Sequence, residues 1–410
     1  MKENSLKNKH IVFVVGNYKN GGVPMHATNL ANAFAEKGYT CTILVTKDIG
    51  ENVNFERHKN VSLVSLKEYA AEHIGDDLVQ KVLKKRKLKI RLIKYLRYIS
   101  KVLPEWDKRL ADEIRGLRRS NDISSFIVNN PECVYVPFGI SYFFDVFYGA
   151  KGTNCKIIYA ERTTPMAEFP VCGYSYEYLF KILGKADKII LQTHNSADFY
   201  KGHISNCKVI NNPLKGSLPE PYNGERRKCI VNFCRVSKEK NLPLLIDSFM
   251  ELHKSHPDFT VEIYGNTVEP YETEHKKELE ELISSLNAEE YIKILPPREN
   301  VHSVVRDCAM FVSSSDFEGL SNSMIEAMAI GLPCVCTDCL GGGARGVIKH
   351  GYNGLLVPTN DKKALSDAMC TIVEDSNLSE FLSKNAIAIK EELSIERIAD
   401  KWLYIIEKIL

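Results

Sequence analysis

Two glutamates, Glu318 and Glu326, stand eight positions apart where a polar loop gives way to a run of helix-forming residues. The predicted helix begins at one of three consecutive cap-forming residues, Ser321, Asn322 or Ser323. A helix N-terminus carries unpaired N–H groups and about half a positive charge, so it binds phosphate groups readily. With one carboxylate before the helix and one inside it, the stretch suits a ligand with a central diphosphate and a sugar at each end.

A cationic loop follows the predicted strand Ile230–Cys234 and contains Arg235 and Lys240. A guanidinium and an ammonium at a strand end can neutralise the charge that grows on a departing diphosphate. Two cations in one loop are common, so the pattern is informative only together with the glutamate pair. In that combination we predict that Glu318 binds hydroxyls of a transferred sugar and that Glu326 binds a ribose diol.

Groups next to the glutamates are predicted to complete this donor-binding site. Gly319 and Leu320 would offer backbone N–H groups to the ligand, and Ser321 lies at the predicted helix start. The neighbours of Glu326 are apolar, so we expect its carboxylate to be buried and to need a partner. An ordinary surface position is the alternative for Glu326.

Composition excludes several classes of protein. The chain has 410 residues, of which 44% are hydrophobic and 26% charged, with a net charge of +2. These values are typical of a two-domain globular protein and argue against a bulk nucleic-acid binder. The 12 cysteines show no recurring pair or metal-ligand spacing, so we expect free thiols in a reducing cytosol and no metal site. The polar N-terminus predicts no signal peptide, and no apolar run is long enough for a transmembrane helix.

The elements that must position these residues begin with a Rossmann-type unit. His10–Val15 and Thr40–Thr46 are predicted strands, joined by the glycine-rich turn Gly16–Gly22 and a helix. The turn lacks the GxGxxG pattern of dinucleotide-binding proteins. Gly21 and Gly22 either admit an acceptor close to the backbone or form a bare tight turn.

Polar residues follow the predicted strand Lys156–Ala160, at the end of the strand where parallel sheets place ligands. Glu161 and Arg162 are therefore candidates for catalysis, and Arg162 is also a candidate for acceptor binding. A structural ion pair is the competing interpretation. His194 follows another predicted strand, but a lone histidine there is more often structural than catalytic.

A basic segment near 81–103 predicts an amphipathic helix. Its apolar arc contains Leu88, Leu92, Leu96, Ile99 and Leu103, and its basic arc contains Lys87, Arg91, Lys94, Arg97 and Lys101. Such a helix suits an anionic membrane surface or a lipid-linked phosphate. The alternative is a solvated basic face above an ordinary core stripe.

A stretch rich in asparagine, proline and glycine, Asn211–Gly224, predicts a linker between two domains. We expect an N-terminal domain at 1–212 and a C-terminal domain at 213–392. A last helix at 393–410 could cross back to the first domain.

Five stretches of the chain carry a family resemblance. They are GGVPMHATNLANAFAEKGY (21–39), NNP (211–213), RVSKEKNLPLLIDSF (235–249), EGLSNSMIEAMAIGLP (318–333) and GYNGLLVPTND (351–361). The resemblance extends over nearly the whole chain and is most specific in its second half. The set resembles the retaining glycosyltransferases of family 4.

That resemblance implies an α/β chain of the GT-B fold, with two Rossmann-like domains facing across a cleft. The donor site would be made mainly by the second domain and the acceptor site by the first. It implies that Arg235 and Lys240 hold the donor diphosphate, Glu318 the donor sugar and Glu326 the ribose. No metal or other cofactor is expected.

The first domain departs from relatives that place a histidine where this chain has Glu161 and Arg162. The stretch ERTTP (161–165) is instead similar to an ERN-type motif of bacterial transferases that extend undecaprenyl-diphosphate-linked glycans. Those relatives also carry a basic amphipathic helix in the first domain.

The residues and the resemblance together predict an enzyme at the cytoplasmic face of the plasma membrane. It would move a hexose or N-acetylhexosamine from a nucleotide diphosphate sugar, UDP-linked by preference, to a lipid-linked saccharide in polysaccharide or glycan assembly. Three alternatives stay open: a soluble acceptor, an epimerase or hydrolase acting on the donor alone, and a binding or scaffold protein. The presence of Arg235, Lys240, Glu318 and Glu326 together argues against a binding or scaffold protein.

Overall fold

The computed structural model describes residues 9–19, 21–50, 55–99, 104–267 and 269–410, so Lys101 and Leu103 of the predicted amphipathic helix lie outside it. The chain divides into two compact units after Ile210, at the start of the predicted linker. The first unit holds Met1–Gln192, Ser196–Ile210 and Ile398–Leu410, and the second holds Thr193–Asn195 and Asn211–Arg397.

The first unit contains, within its described residues, one parallel sheet. Its strands are β1 (His10–Val15), β2 (Thr40–Val45), β3 (Val61–Ser65), β4 (Val134–Pro137), β5 (Lys156–Ala160), β6 (Lys188–Leu191) and β7 (Cys207–Val209). They lie in the order β3-β2-β1-β4-β5-β6-β7. Residues 11–15 of β1 are fully buried, as a parallel strand with helices on both faces requires.

Helices connect these strands. They are α1 (Gly22–Glu36), α2 (Leu66–His73), α3 (Asp77–Ile99), α4 (Pro104–Arg119), α5 (Asn121–Asn129), α6 (Ile140–Gly149), α7 (Pro165–Val171), α8 (Tyr176–Leu183) and α9 (His194–Tyr200). Gly38 ends the first of them with a φ of 93°, a left-handed conformation that favours glycine. Gly16, at the end of β1, packs against the Tyr142 ring so closely that a Cβ would overlap the phenol.

The second unit repeats this architecture. Its strands are β8 (Arg227–Phe233), β9 (Thr260–Tyr264), β10 (Ile292–Leu295), β11 (Cys308–Ser313), β12 (Cys334–Thr337) and β13 (Leu355–Val357). Across its described residues they form a parallel sheet in the order β10-β9-β8-β11-β12-β13. The chain therefore builds outward from β8 in one direction and from β11 in the other. The carboxyl ends of these two strands are the topological switch point, where open α/β sheets bind ligands.

The second unit is covered by a further set of helices. They are α10 (Leu242–Ser255), α11 (Pro270–Ser285), α12 (Val301–Val305), α13 (Asn322–Ala329), α14 (Gly343–Val347), α15 (Lys362–Glu374), α16 (Ser376–Ala386) and α17 (Ile389–Glu392), and α18 (Ile395–Ile409) follows them in the chain. The sequence predicts a helix over Val301–Cys308, and this prediction is wrong at its end, because the chain turns at Arg306 and Cys308 already begins β11. Of the three predicted caps for α13, Ser321 takes the position, and its Oγ accepts from the Met324 N–H at 3.4 Å.

The last helix, α18, is tied to the first unit although it follows the second in the chain. Trp402 and Ile406 are buried. The Tyr39 hydroxyl donates to Glu407 at 2.8 Å, and Lys37 pairs with Asp400 at 2.7 Å.

Helix α3 has three faces rather than the two predicted. Its packed face carries Val79, Arg86 and Ile93, which recur every seven residues and are buried. The leucines of the predicted apolar arc face outward instead: Leu88 is 67% exposed, Leu92 58% and Leu96 44%. The alternative of an ordinary core stripe is therefore wrong for these three leucines.

Candidate active site

Lys240 and Glu318, from loops 78 positions apart, form an ion pair at the carboxyl edge of the second sheet. The cation ends the short 3₁₀ turn after β8, and the carboxylate lies in the loop after β11. The two side chains are only 16% and 25% exposed. Burial opposes the charge on Lys240, but the adjacent Glu318 carboxylate raises its pKa above the usual value. The structure thus brings together one predicted cation and one predicted glutamate at the switch point.

Hydrogen bonds hold these two loops against each other. The Ser314 hydroxyl donates to the Lys240 carbonyl at 2.9 Å, and the Asp316 N–H donates to the Glu239 carbonyl at 2.9 Å. Asn241, which has a positive φ of 44°, donates through its side-chain amide to the Asp316 carboxylate at 2.7 Å. The Lys240–Glu318 pair is therefore pre-positioned by the backbone of both loops.

The loop after β12 supports the same site from a third strand. The Glu318 N–H donates to the Leu340 carbonyl at 3.0 Å. Gly343, at the start of α14, lies so close to Gly319 that a Cβ would overlap its carbonyl oxygen. In the part of the chain that the structure describes, the N–H groups of Gly319 and Leu320 donate to no other residue, so both stay available to a ligand.

The second glutamate, Glu326, is buried in α13 as its apolar neighbours predict. Its partner is His302 of α12, whose Nε2 lies 2.8 Å from the Glu326 carboxylate. The Phe233 ring stands edge-on to the His302 ring at 5.4 Å. Sequence reasoning predicted that Glu326 needs a partner but missed which residue supplies it, because no local pattern links positions 24 residues apart.

Arg235 is held by two carboxylates. Its Nη2 lies 2.6 Å from Glu239, and its Nε lies 3.3 Å from Glu272. The Glu272 side chain is fully buried and also accepts from the Glu269 N–H at 3.0 Å, which makes the capping box of α11. These contacts fix the direction of Arg235 before any ligand binds, and about half of its side chain stays exposed.

In the first unit, Glu161 follows β5 and is buried. Burial, together with nearby Glu168, raises its pKa from the ordinary 4.5 to about 8. Burial likewise raises the pKa of Glu168 to about 7, although the Ile140 N–H donates to this carboxylate at 3.2 Å. Two carboxyl groups that titrate near neutral pH therefore lie at the carboxyl edge of the first sheet.

Arg162 stands beside Glu161 with its guanidinium 4.1 Å from the centre of the Phe138 ring. Burial lowers its pKa to about 10, and the neighbouring Glu161 charge opposes that shift. Gly21 and Gly22 are exposed at the N-terminus of α1, which begins at Gly22. His194, which the sequence favours as a structural rather than a catalytic residue, begins α9.

Only part of the predicted basic arc is exposed to solvent. Lys87, Arg91 and Lys94 are exposed on α3, whereas Arg97 is half-buried. Lys101 lies outside the described residues. Among those that are described, no helix combines the length and the apolar character needed to cross a bilayer.

All twelve cysteines are free thiols, as the sequence predicts. Two groups of potential metal ligands occur in the second unit, each with its ligand atoms within 4.8 Å of one another. One combines Cys229, Glu262 and Cys308, and the other combines His256, Cys370 and Glu374. Neither contains a residue of the Lys240–Glu318 pair.

Comparison with known proteins places this site within a described family. The family "Glycosyl transferases group 1" matches residues 219–388, which include Arg235, Lys240 and both glutamates.

Three curated relatives align with parts of the chain. An uncharacterized glycosyltransferase of Methanocaldococcus jannaschii is 26% identical over 62% of this chain and 72% of its own length. The UDP-N-acetylglucosamine–peptide N-acetylglucosaminyltransferase GtfA subunit of Streptococcus pneumoniae is 26% identical over 65% of this chain and 54% of its own length. In Campylobacter jejuni, the N-acetylgalactosamine-N,N'-diacetylbacillosaminyl-diphospho-undecaprenol 4-alpha-N-acetylgalactosaminyltransferase is 27% identical over 62% of this chain and 70% of its own length.

Solved structures resemble the chain over nearly its whole length. TarM of S. aureus superposes with a TM-score of 0.74 at 15% identity, covering 97% of this chain and 98% of TarM. Anabaena HepE in complex with UDP gives a TM-score of 0.71 at 16% identity, covering 98% and 100%. At such identities the likeness establishes the fold, which agrees with the two parallel-sheet units described above. The chain is therefore a glycosyltransferase with the GT-B fold, and its residues 219–388 match the glycosyl transferases group 1 family.

Proposed function

We propose that this enzyme is a metal-independent, retaining glycosyltransferase of family 4. It transfers a hexose or N-acetylhexosamine from a UDP-sugar to a lipid-linked saccharide. The observation that carries the proposal is the Lys240–Glu318 pair at the switch point of the second sheet, with buried Glu326 in the helix that follows.

The donor half of the proposal follows from charge and hydrogen-bonding capacity. Arg235 and Lys240 neutralise the diphosphate, and the free N–H groups of Gly319 and Leu320 add two donors. Glu326 accepts from the ribose hydroxyls. HepE has been solved with UDP and with UDP and glucose, which supports the choice of a UDP-sugar for this chain.

The proposed chemistry needs no protein nucleophile. As the bond between sugar and diphosphate breaks, Lys240 and Arg235 stabilise the charge that develops on the leaving phosphate. That phosphate then takes the proton from the attacking hydroxyl, which approaches on the same face of the sugar, so the configuration is retained. Glu318 orients the sugar through its hydroxyls rather than forming a covalent bond to it.

The acceptor is proposed to contact the first unit at Glu161, Arg162, Gly21 and Gly22. A protonated Glu161 would donate a hydrogen bond to an acceptor hydroxyl, and Arg162 would attract an anionic group. The choice of a lipid-linked acceptor is supported by the C. jejuni relative, whose name specifies a diphospho-undecaprenol substrate. The S. pneumoniae relative modifies a peptide, so a soluble or protein acceptor is the alternative.

Helix α3 is proposed to rest on an anionic membrane at the cytoplasmic face. Its exposed leucines would enter the interface, while Lys87, Arg91 and Lys94 contact the lipid headgroups. Liposome flotation tests this role. The variant Lys87→Glu, Arg91→Glu, Lys94→Glu should lose binding to phosphatidylglycerol vesicles, and unchanged flotation would rule the role out.

One assay tests the transfer reaction. The purified chain is incubated with a panel of nucleotide-sugars, and nucleoside diphosphate release is measured with and without an undecaprenyl-diphosphate-linked saccharide. We expect release from UDP-sugars that depends on the acceptor, together with a product of retained configuration. Donor conversion at an equal rate without acceptor would identify an epimerase or hydrolase and overturn the proposal.

A further inference from the structure

A cavity of the first unit lies away from the proposed acceptor residues. It has a volume of about 590 Å³. Its walls come from α3, from Leu117 and Val128 at the ends of α4 and α5, and from the turns that precede β4 and β5. It therefore lies at the amino-terminal edge of the sheet, whereas Glu161 follows the carboxyl end of β5.

The cavity combines an apolar wall with a cationic rim. The apolar residues are Leu78, Val82, Leu117, Val128 and Pro131, and the lysines are Lys85, Lys89 and Lys151. Four of these residues, at 78, 82, 85 and 89, recur at helical spacing, so one face of α3 supplies both kinds of contact. This arrangement suits a ligand with an anionic head and a hydrocarbon chain.

The charges around the cavity are not balanced. Lys89 and Lys151 share the Glu113 carboxylate, at 2.9 Å and 2.6 Å. Lys85 and Arg86 form no ion pair with any residue that the structure describes. The lining carboxylate of Glu132 is exposed and pairs with Lys9 at 3.5 Å.

Arg86 adds a buried positive charge to this cavity, and a buried charge without a counter-charge is energetically unfavourable. Only 6% of its surface is exposed, and its guanidinium donates to the carbonyls of Ser120 and Tyr148, each at 2.9 Å. Carbonyl oxygens satisfy its hydrogen bonds but leave its charge uncompensated. A buried charge normally has a counter-charge, so an anion in this cavity would be stabilised by Arg86 as well as by the lysines.

We propose that this cavity binds an amphiphilic phosphate, with its anionic head at Lys85, Lys89 and Lys151 and its chain along Leu78 and Val82. The ligand is an anionic phospholipid rather than a substrate of the transfer reaction. None of these residues belongs to the proposed donor or acceptor site. The proposal therefore stands or falls independently of the proposed transfer reaction.

Isothermal titration calorimetry on the full chain tests the proposal with dihexanoyl-phosphatidylglycerol below its micelle concentration. We expect saturable binding. Lys85→Gln should weaken it about fivefold, the effect of one lysine near an anionic headgroup. Val82→Phe should also weaken it, because the larger ring occupies the space of the chain. Lys84→Gln is the matched control: it removes the same charge one residue away, at an exposed position that does not line the cavity.

Three results would overturn the proposal. Equal binding of dihexanoyl-phosphatidylcholine would remove the need for an anionic head, and equal binding of inorganic phosphate would remove the need for a chain. An equal loss in Lys84→Gln would indicate general attraction to a basic surface. Lys85→Gln should release nucleoside diphosphate at the wild-type rate in the transfer assay, so a failed lipid site and a failed transferase give different results.

Discussion

The two units share an architecture but treat charge differently at the carboxyl edge of the sheet. In the second unit, carboxylates pair with cations: Lys240 with Glu318, and Arg235 with Glu239 and Glu272. In the first unit, Glu161 is buried among groups that raise its pKa to about 8. One edge thus pairs its carboxylates with cations, and the other holds two buried carboxyl groups, Glu161 and Glu168, whose pKa values are raised to about 8 and about 7. The same fold can therefore hold a diphosphate at one sheet and meet neutral hydroxyl groups at the other.

The largest effect on activity is expected when a cation is removed from the carboxyl edge of the second sheet. Lys240→Ala is expected to lower the rate of acceptor-dependent sugar transfer about a thousandfold, because charge on the leaving phosphate loses its nearest cation. The steady-state rate at which nucleoside diphosphate is released measures the rate of transfer. Lys238→Ala, an exposed lysine of the same turn, is the matched control and should keep most of the activity. Equal rates in the two variants would remove Lys240 from the site.

A smaller effect on the same edge should come from the His302–Glu326 pair. His302→Ala leaves a buried carboxylate without its hydrogen-bond donor, so we expect the donor KM to rise about tenfold with a much smaller change in kcat. His302→Gln, which keeps a donor, should recover most of the affinity. His256→Ala removes a histidine that pairs with Glu374 instead and should leave KM unchanged. A KM that stays at the wild-type value in His302→Ala would contradict a positioning role.

The stability of the first unit should depend on pH through the buried carboxyl group of Glu161. Glu161 has its pKa raised from 4.5 to about 8 in the folded chain. Between those pH values the folded state keeps a proton that the unfolded state has lost, so stability falls as pH rises through this window. In Glu161→Gln the decline of the first unit's Tm from pH 5 to pH 8 should be smaller by roughly 5 °C. Calorimetric scans at several pH values measure it, and parallel declines would refute the buried-carboxyl assignment.

The smallest effect concerns the outward face of α3, whose row of exposed leucines has no counterpart among the described helices of the second unit. Leu92→Ser should reduce the membrane-bound fraction about threefold in flotation, because one side chain no longer enters the interface. Its Tm should stay within about 1 °C of the wild-type value, since an exposed leucine contributes little to folding. Tyr404→Ser, at an equally exposed apolar position on α18, is the control. A large drop in Tm for Leu92→Ser would mean that this leucine belongs to the core.

Sequence reasoning located most strands of the two sheets, because buried parallel strands read as short apolar runs. The apolar runs predict strands at Lys156–Ala160, Thr260–Tyr264 and Ile292–Leu295, and these are the bounds of β5, β9 and β10. It missed α2 and α7, and also β7, which is only three residues long and not fully buried. Short elements of this kind depend on their neighbours more than on their own composition.

The candidate site was predictable where one motif carries it and not where distant segments meet. Glu318 and Glu326 stand in one continuous pattern, so the sequence predicts both. The partnership of Glu326 with His302, and that of Arg235 with Glu272, arises only when segments distant in the chain fold together. The burial of Arg86 could not be predicted either, because a single arginine in a run of lysines reads as one more solvated charge.

The position of α18 has a consequence for how this protein is made. The residues Ile398–Leu410 complete the first unit, yet the ribosome adds them after all of the second unit. At ~5–20 residues per second, synthesis of Asn211–Arg397 takes roughly 10–40 s, and throughout that time the surface that receives Trp402 lies uncovered. The first unit to emerge from the ribosome is therefore completed only after the second, because it can become fully native only once Ile398–Leu410 has been added.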